Sequence, residues 1–596
     1  MIGWFRRDRV AWLVAGLLVA ALGFLETLHS EKELLSALIA YGVIALAALI
    51  GFSFLSAGGG NSACLFSVAS LAAYIIIRAL TSPDAYAARA DLYLTLGALV
   101  VYMVAAVLLR SAALRNTIIA VLLLFGVVHV AVSLVQAGMA HNYSMLIPSL
   151  GDVRQNTRGA GLYVDPDHLA GLLELVGILG LSLTSWSRWP HWTRVVLAYL
   201  TGICYLGLAL TGSRGGYLGA AFSLIVFAAF SFVVLKAGGS TRLLRFGSIG
   251  FALLAAGIAA TSLFIHQTPV LQDRAANTFT VDTGRLDIWE AAVAQWKLNP
   301  IVGTGSGTFL FYGREFRPES FQADPIEVHN DYLHLLCEYG AVGGILFLIF
   351  FFTHLRTGLR TFAAFGARRV EAGTLLRSNR LALSIGALCA LAAYVVHSAF
   401  DFNMHIPANA LVVAFIFGML ANSGADDSAE SRATIASPVM RMAALAVSLI
   451  LLVQAVRLIP GEYYAEQAAA ALRQEQPVAA VVFARKALEF EEHNPYIFFY
   501  LGRAFRAAAH DARYENIRTE LYERALTAFD RARNLSPLDG TYPLDMASIY
   551  DSLGRFPEAE WMYDLARARD PRSTTVQNLY LTHLEVWANS GQPAAH

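Results

Sequence analysis

Charge is scarce in this 596-residue chain: only 15% of its residues are Asp, Glu, Lys or Arg, while 56% are hydrophobic. A chain this apolar cannot hide its side chains in a water-soluble core, so a bilayer must supply part of its solvent. The charges sum to zero, which removes the global basic field used in nucleic-acid binding, and no nucleic-acid partner is expected. Cysteine is scarce too. Cys64, Cys204, Cys337 and Cys389 stand far apart in apolar segments, with no CxxC or Cys/His spacing, so neither a disulfide framework nor a zinc site is expected. Also missing are a Walker loop after a strand, a nicotinamide-binding glycine fingerprint, a nucleophile elbow and an HExxH helix. ATP-driven transport and metalloprotease chemistry are disfavoured accordingly.

What the chain has is long apolar runs. A span needs roughly 20 mostly apolar residues, and about thirteen segments qualify: 10–28, 34–55, 62–80, 92–109, 117–138, 168–186, 194–212, 216–236, 246–266, 335–355, 381–400, 407–421 and 438–459, the twelfth being short. The first, after Arg6, Arg7 and Arg9, lacks a small-residue cleavage site and is followed at once by another run, so it reads as a span rather than a signal peptide. Arginine and lysine in short loops set orientation. With the N-terminus inside, Arg110, Arg115, Arg188, Arg194, Lys236, Arg242 and the cluster from Arg356 to Arg380 all fall inside. Residues 139–167, 212–216, 267–334 and everything after about 460 then fall outside. The predicted fold is all-α: a polytopic membrane protein with about 13 transmembrane helices, a large outer loop and a C-terminal helical-repeat domain. The expected divisions are N-terminal spans over 1–150, a membrane core with its loop over 151–425, a last span and linker over 426–460, and the repeat domain over 461–596.

The repeat is visible residue by residue. Ala525, Phe529, Ala532 and Pro537 recur as Ala559, Tyr563, Ala566 and Pro571, a shift of 34 at every position, and Tyr550 stands where the second unit needs it. That is the period of tetratricopeptide helix pairs, where small residues permit close packing and proline ends the second helix. A generic Ala-rich bundle is the plainer alternative.

Three polar clusters can carry chemistry. Thr211-Gly212-Ser213-Arg214-Gly215-Gly216 interrupts two spans on the outer side. An arginine there opposes the positive-inside bias, and guanidinium suits phosphate oxygens, although pairing with an acid or a lipid headgroup remains an equal reading. In the outer loop, Thr283-Gly284-Arg285-Leu286-Asp287-Ile288-Trp289 predicts a helix capped by Thr283, with Trp289, Val293 and Trp296 on one face against the membrane surface. Arg285 in its first turn adds positive charge to the positive end of the helix dipole. The following Gly303-Thr304-Gly305-Ser306-Gly307 has the composition of an anion-binding nest. Val328-His329-Asn330-Asp331 precedes the tenth span, where a histidine near its usual pKa of about 6.5 can move a proton and where a helix-capping cluster is also expected. His397, Asp401, Asn403 and His405 form a further polar group at an outer span end, without an assembled metal-ligand set. Secondary transport is the rival class, and its signs are charges inside spans and broken helices at mid-membrane.

The ordered set Ser213-Arg214-Gly215, Gly284-Arg285 with Trp289, Asn299-Pro300 into Gly303–Gly307, and His329-Asn330 with Leu333, Glu338 and Gly340 resembles the O-antigen ligase and polymerase superfamily, the Wzy_C or WaaL-like family. The stretch Gly159–Gly171 also looks like the family's outer loop, although Asp167 stands where an asparagine is common. The resemblance runs from about 155 to 420 and leaves out the repeat tail. It implies an inverting glycosyltransferase at the outer, periplasmic face of a bacterial inner membrane, moving a glycan from undecaprenyl diphosphate to an acceptor sugar hydroxyl, such as a saccharide or a lipid A-core, with no cofactor and no metal. It further implies His329, Arg285 and Arg214 as catalytic, and Ser213, Gly215, Asn330, Trp289, Arg158, Asp167 and His168 as substrate-binding. Polymerase activity is slightly favoured because the repeat tail suggests partners in glycan assembly. A lipid-linked-glycan flippase or transporter and a protein O-oligosaccharyltransferase stay open.

Overall fold

The computed structural model describes the chain except Met1 and residues 29–33, 57, 59, 140–141, 144–152, 155–157, 164, 238–282, 371–376, 423–437 and 592–596. The described residues are helical throughout, apart from loops and a two-residue pairing of Asn142–Tyr143 with Val153–Arg154. The helices are α1 (Ile2–Leu28), α2 (Leu34–Phe54), α3 (Ser62–Leu80), α4 (Arg89–Met103), α5 (Ala112–Met139), α6 (Pro166–Trp186), α7 (His191–Thr211) and α8 (Arg214–Ala237). After residues 238–282 come α9 (Thr283–Leu298), α10 (Phe309–Phe316), α11 (Asp331–Val370), α12 (Asn379–His397), α13 (Pro407–Ala421) and α14 (Pro438–Arg473). The tail holds α15 (Pro477–Leu488), α16 (Pro495–His510), α17 (Glu515–Leu535), α18 (Thr541–Ser552), α19 (Phe556–Arg569) and α20 (Thr574–Asn589).

Eleven of the described helices are long and apolar enough to cross a bilayer: α1 to α8, α11, α12 and α14. They coincide with eleven of the thirteen predicted runs. The ninth run, 246–266, lies outside the described residues. The twelfth is α13, only 15 residues long and buried at every position but Ala414. A helix enclosed by protein need not match the bilayer thickness, and this one lies so close to the end of α4 that a Cβ on Gly418 would meet the Tyr102 carbonyl at 2.7 Å. There α4 widens into the π-type turns Val104–Leu108, and the carbonyls of Ala105 and Leu109 take bonds from the buried Arg115 guanidinium, at 3.1 and 2.7 Å. The chain is therefore an all-α, multi-pass membrane protein.

Two compact units emerge, each with its own interior: Met1–Ala72, Leu94–Val281 and Leu346–Leu452 in the first, and Ala73–Tyr93, Asp282–Ile345 and Val453–His596 in the second. The predicted boundary at 460/461 is not marked by a linker, since α14 runs through Pro460 without a break. In the tail, the repeated positions are the buried ones. Ala525, Phe529 and Ala532, and likewise Ala559, Tyr563 and Ala566, are at most 2% exposed. α17 and α19 stop two residues short of Pro537 and Pro571.

Candidate functional site

In the first unit, the head of α8 is a tight turn built by its own sequence. Gly212 closes α7 in the left-handed region at φ 63°, and Ser213 then accepts the Gly216 N–H on its Oγ at 3.2 Å, capping α8. Arg214 is thereby the first helical residue, half-buried, where a cation reinforces the positive helix end. Gly215, Gly216 and Gly219 lie against what is packed beneath. A Cβ on Gly215 would meet the His397 ring at 2.7 Å, one on Gly216 the Ala170 Cβ at 2.7 Å, and one on Gly219 the Glu174 carboxylate at 2.5 Å.

Beneath this turn is a buried polar network. His397 Nδ1 pairs with Glu174 at 3.0 Å, and its Nε2 lies 3.6 Å from Asp401. Asn403 donates to Asp401 at 2.9 Å, Asn409 donates to Asn403 at 2.6 Å and to the His168 carbonyl at 2.9 Å, and the Tyr163 hydroxyl donates to Asn409 at 2.9 Å. His168, 2% exposed, faces inward with its ring edge-on to Phe402 at 4.6 Å. Arg158 and Asp167 are bonded to each other at 2.6 Å, and Arg158 Nε donates to the Thr211 carbonyl at 2.7 Å, which ties the preceding loop to the end of α7. Asp165 caps α6 by accepting the Asp167 N–H at 2.8 Å. Burial, helped by the neighbouring Asp167, pushes its carboxyl above the usual range.

The second unit holds the other predicted residues. Arg285 is half-buried in the first turn of α9. The buried stripe of α9 is Ile288, Ala291, Ala292 and Gln295, while Trp289, Val293 and Trp296, the face expected against the membrane surface, are half-buried. Ile288 and Ala292 share a core with Phe309, Val328 and Cys337, against which Trp289, Trp296 and Leu333 pack. The Thr283 side chain lies outside the described residues.

Val328, fully buried in that core, leads directly into His329, which is held in the left-handed region at φ 51°. Few non-glycine residues adopt this conformation, and they concentrate at functional turns. Asn330 then caps α11, its Oδ1 accepting the N–H groups of Tyr332 and Leu333 at 3.0 and 3.1 Å. The capping expectation and the placement of His329 at a helix entrance thus hold together.

α11 is broken at Gly340, whose φ of 65° and ψ of −169° only glycine adopts readily. A break frees backbone groups on both sides, and the segment Pro300–Gly305 satisfies them. Ala341 and Val342 donate to the carbonyls of Pro300 and Ile301 at 2.9 and 3.0 Å, while Cys337 and Glu338 accept from Thr304 and Gly305 at 3.1 and 3.0 Å. This explains Asn299-Pro300 and the glycines after it, because a Cβ on Gly303 would overlap the Glu338 backbone. Of the predicted nest only Gly307 meets an anion: the Glu338 carboxylate accepts its N–H and that of Phe309 at 2.9 and 2.8 Å, while Gly303, Thr304 and Gly305 donate to main-chain carbonyls. Glu338 also faces His334 at 3.4 Å, and His334 faces Glu327 at 3.2 Å.

Of the ten predicted site residues, Ser213, Arg214, Gly215, Arg158, Asp167 and His168 fall in the first unit, and Arg285, Trp289, His329 and Asn330 in the second. Sequence reasoning passed over Glu174, although a carboxylate inside an apolar run is itself a signal. It also missed Glu327 and Tyr163. None of the curated proteins matches the chain. Residues 197–348 match the family model Wzy_C, described as O-antigen ligase. That match is narrower than the 155–420 of the motif resemblance, but it contains Ser213-Arg214-Gly215, Arg285 and His329-Asn330. These motifs stand in order between α7 and the break in α11, and over 197–348 this multi-pass membrane protein is similar to the O-antigen ligase family.

Proposed function

We propose that this protein transfers a glycan from undecaprenyl diphosphate to a sugar hydroxyl at the periplasmic face of the inner membrane. The observation that carries the reading is the His329 turn. It pairs a left-handed backbone with a buried anchor on one side and a helix cap on the other, on the same core as the helix of Arg285. In this reading His329 takes the proton from the acceptor hydroxyl as its oxygen attacks the anomeric carbon. The new C–O bond forms as the bond to the diphosphate breaks, and a single displacement inverts the anomeric centre. Arg285 balances the negative charge that develops on the departing diphosphate. Arg214 is assigned to phosphate through the family motif, and its place at the head of α8 supports an anionic contact. No cofactor or metal is needed for this step.

The acceptor is a growing polysaccharide in the polymerase form of the reading and a lipid A-core in the ligase form, with the polymerase form slightly favoured. The 34-residue period with buried small positions supports tetratricopeptide-like repeats for the tail, which would lie in the periplasm and offer a surface to protein partners in glycan assembly. Complementing a deletion strain tests the reading. His329→Ala and Arg285→Ala should insert normally and lose most glycan output, since one charge-assisted bond is worth about 1.5–3 kcal/mol, or about one to two decades in rate. Normal output from both variants would refute the assignments. Single repeat units accumulating on the carrier would identify a polymerase, and long untransferred lipid-linked polymer a ligase.

A further inference from the structure

Within the second unit, the tail is bonded to the chain's own loop. At the end of α10, Arg317 is 3% exposed and presents its fork to Asp570, with Nε and Nη2 at 3.1 and 2.6 Å from the two carboxylate oxygens. Its remaining nitrogen, Nη1, donates to the carbonyls of Gln322 and Ala323 at 2.9 and 3.1 Å. One turn earlier, Arg314 bonds Asp324 through Nε and Nη2 at 3.2 and 3.0 Å and Asp539 through Nη1 at 3.2 Å. Burial works against the Arg314 charge, but Asp539 and Asp324 outweigh it and hold its pKa above the usual arginine range. Gln322 donates to the Arg572 carbonyl at 3.0 Å and accepts the Thr574 N–H at 3.0 Å.

Asp539 stands in the turn between α17 and α18, and Asp570 in the turn between α19 and α20. Two successive inter-repeat turns therefore hold one segment, 314–324, by part-buried charge-assisted bonds. Past Asp324 the chain has little freedom before His329. Pro325 packs so tightly on Gly313 that a Cβ there would meet its Cγ at 2.8 Å, and Glu327 and Val328 are buried. Only five residues separate Asp324 from the left-handed turn at His329, so a shift there has a short path to it.

We infer that the repeat domain positions the His329 turn, with Arg317–Asp570 and Arg314–Asp539 as the positioning pairs. The inference rests on the reading of His329 given above. Misplacing a reacting group by about 1 Å costs about 100-fold in rate, so loosening the clamp should act on turnover. A fastening that served stability alone would change how much protein folds but not the rate of each folded molecule.

The test uses the full chain in lipid nanodiscs with a lipid-linked glycan donor, normalised to folded protein. Asp570→Asn and Arg317→Gln should lower kcat by about 10- to 100-fold with little change in donor KM. Asp570→Glu should recover most of the loss, and Asp539→Asn should show a smaller version of it. Amide exchange over residues 325–330 should speed up in the variants that slow. Unchanged kcat in Asp570→Asn and Arg317→Gln, with His329→Ala inactive beside them, would overturn the positioning role and leave the site intact. Full activity in His329→Ala would overturn the site and the positioning role together. Slower turnover without faster exchange at 325–330 would also overturn the positioning role.

Discussion

Two buried histidines, one in each unit, stand between pairs of carboxylates at similar distances, and their surroundings put them to different use. His397 sits between Glu174 and Asp401 at 3.0 and 3.6 Å, and His334 between Glu327 and Glu338 at 3.2 and 3.4 Å. Around His397 the bonds continue through side chains, from Asp401 to Asn403, Asn409 and Tyr163, so the network links α6, α12 and α13 within the bundle. Around His334 they continue into backbone, because Glu338 also receives Gly307 and Phe309. A side-chain network tolerates exchange of one acceptor for another. A carboxylate that receives two main-chain N–H groups holds a loop shut and has no ready substitute.

The largest expected effect follows from that difference. Glu338→Ala strands the buried Phe309 N–H and the part-buried Gly307 N–H and removes a partner of His334, so it should cost about 3–5 kcal/mol and be seen as loss of folded protein in thermal unfolding. Glu174→Ala comes next, again through a broken buried pair, but Glu174→Gln should recover most of it by keeping the bond to His397 Nδ1. Equal damage from Glu174→Gln and Glu174→Ala would erase the contrast, as would a harmless Glu338→Ala. Gly340→Ala places a Cβ against the Ile301 and Gly303 backbone at a glycine-only conformation. Its cost should be about 1–3 kcal/mol or more, as is typical of such strain, and proteolysis should detect it in the 300–308 loop. Asn330→Ala removes one cap and should cost about 1 kcal/mol.

The smallest effect concerns pH. Burial raises the Asp84 carboxyl against the pull of Ala87 and Ser536. The folded state therefore holds that proton more tightly than the unfolded chain. Its stabilising share is complete below the ordinary carboxylate value of about 4 and is lost as pH rises through the raised value. Asp84→Asn should flatten that slope in unfolding curves, and an unchanged slope would remove Asp84 as its source.

The spans were legible because a bilayer demands long apolar runs, whatever their partners. α13 was placed at its true bounds, 407–421, and only its counting as a span differs, because a helix enclosed in protein can be apolar without being long enough to cross a bilayer. The sequence showed the Trp289, Val293 and Trp296 face of α9 but not its inward face, Ile288 and Ala292, because their partners Val328 and Cys337 lie some forty residues on. The glycines of 303–307 were read as a nest, but most of them serve the break at Gly340, and the anion that Gly307 meets, Glu338, lies 31 residues away. Arg158 and Asp167, both expected to touch substrate, are nine residues apart and bonded to each other. The clamp of Arg317 on Asp570 joins residues 253 apart and could not be read from spacing at all.

The central claim is glycan transfer from a lipid diphosphate through the His329 turn. Purified protein in nanodiscs, given a polyprenyl-diphosphate-linked glycan and an acceptor saccharide, tests it most directly through the free polyprenyl diphosphate released. The account predicts release in step with transferred glycan, lost in His329→Ala and Arg285→Ala. Transfer without release of the diphosphate, or release undiminished in both variants, would contradict it.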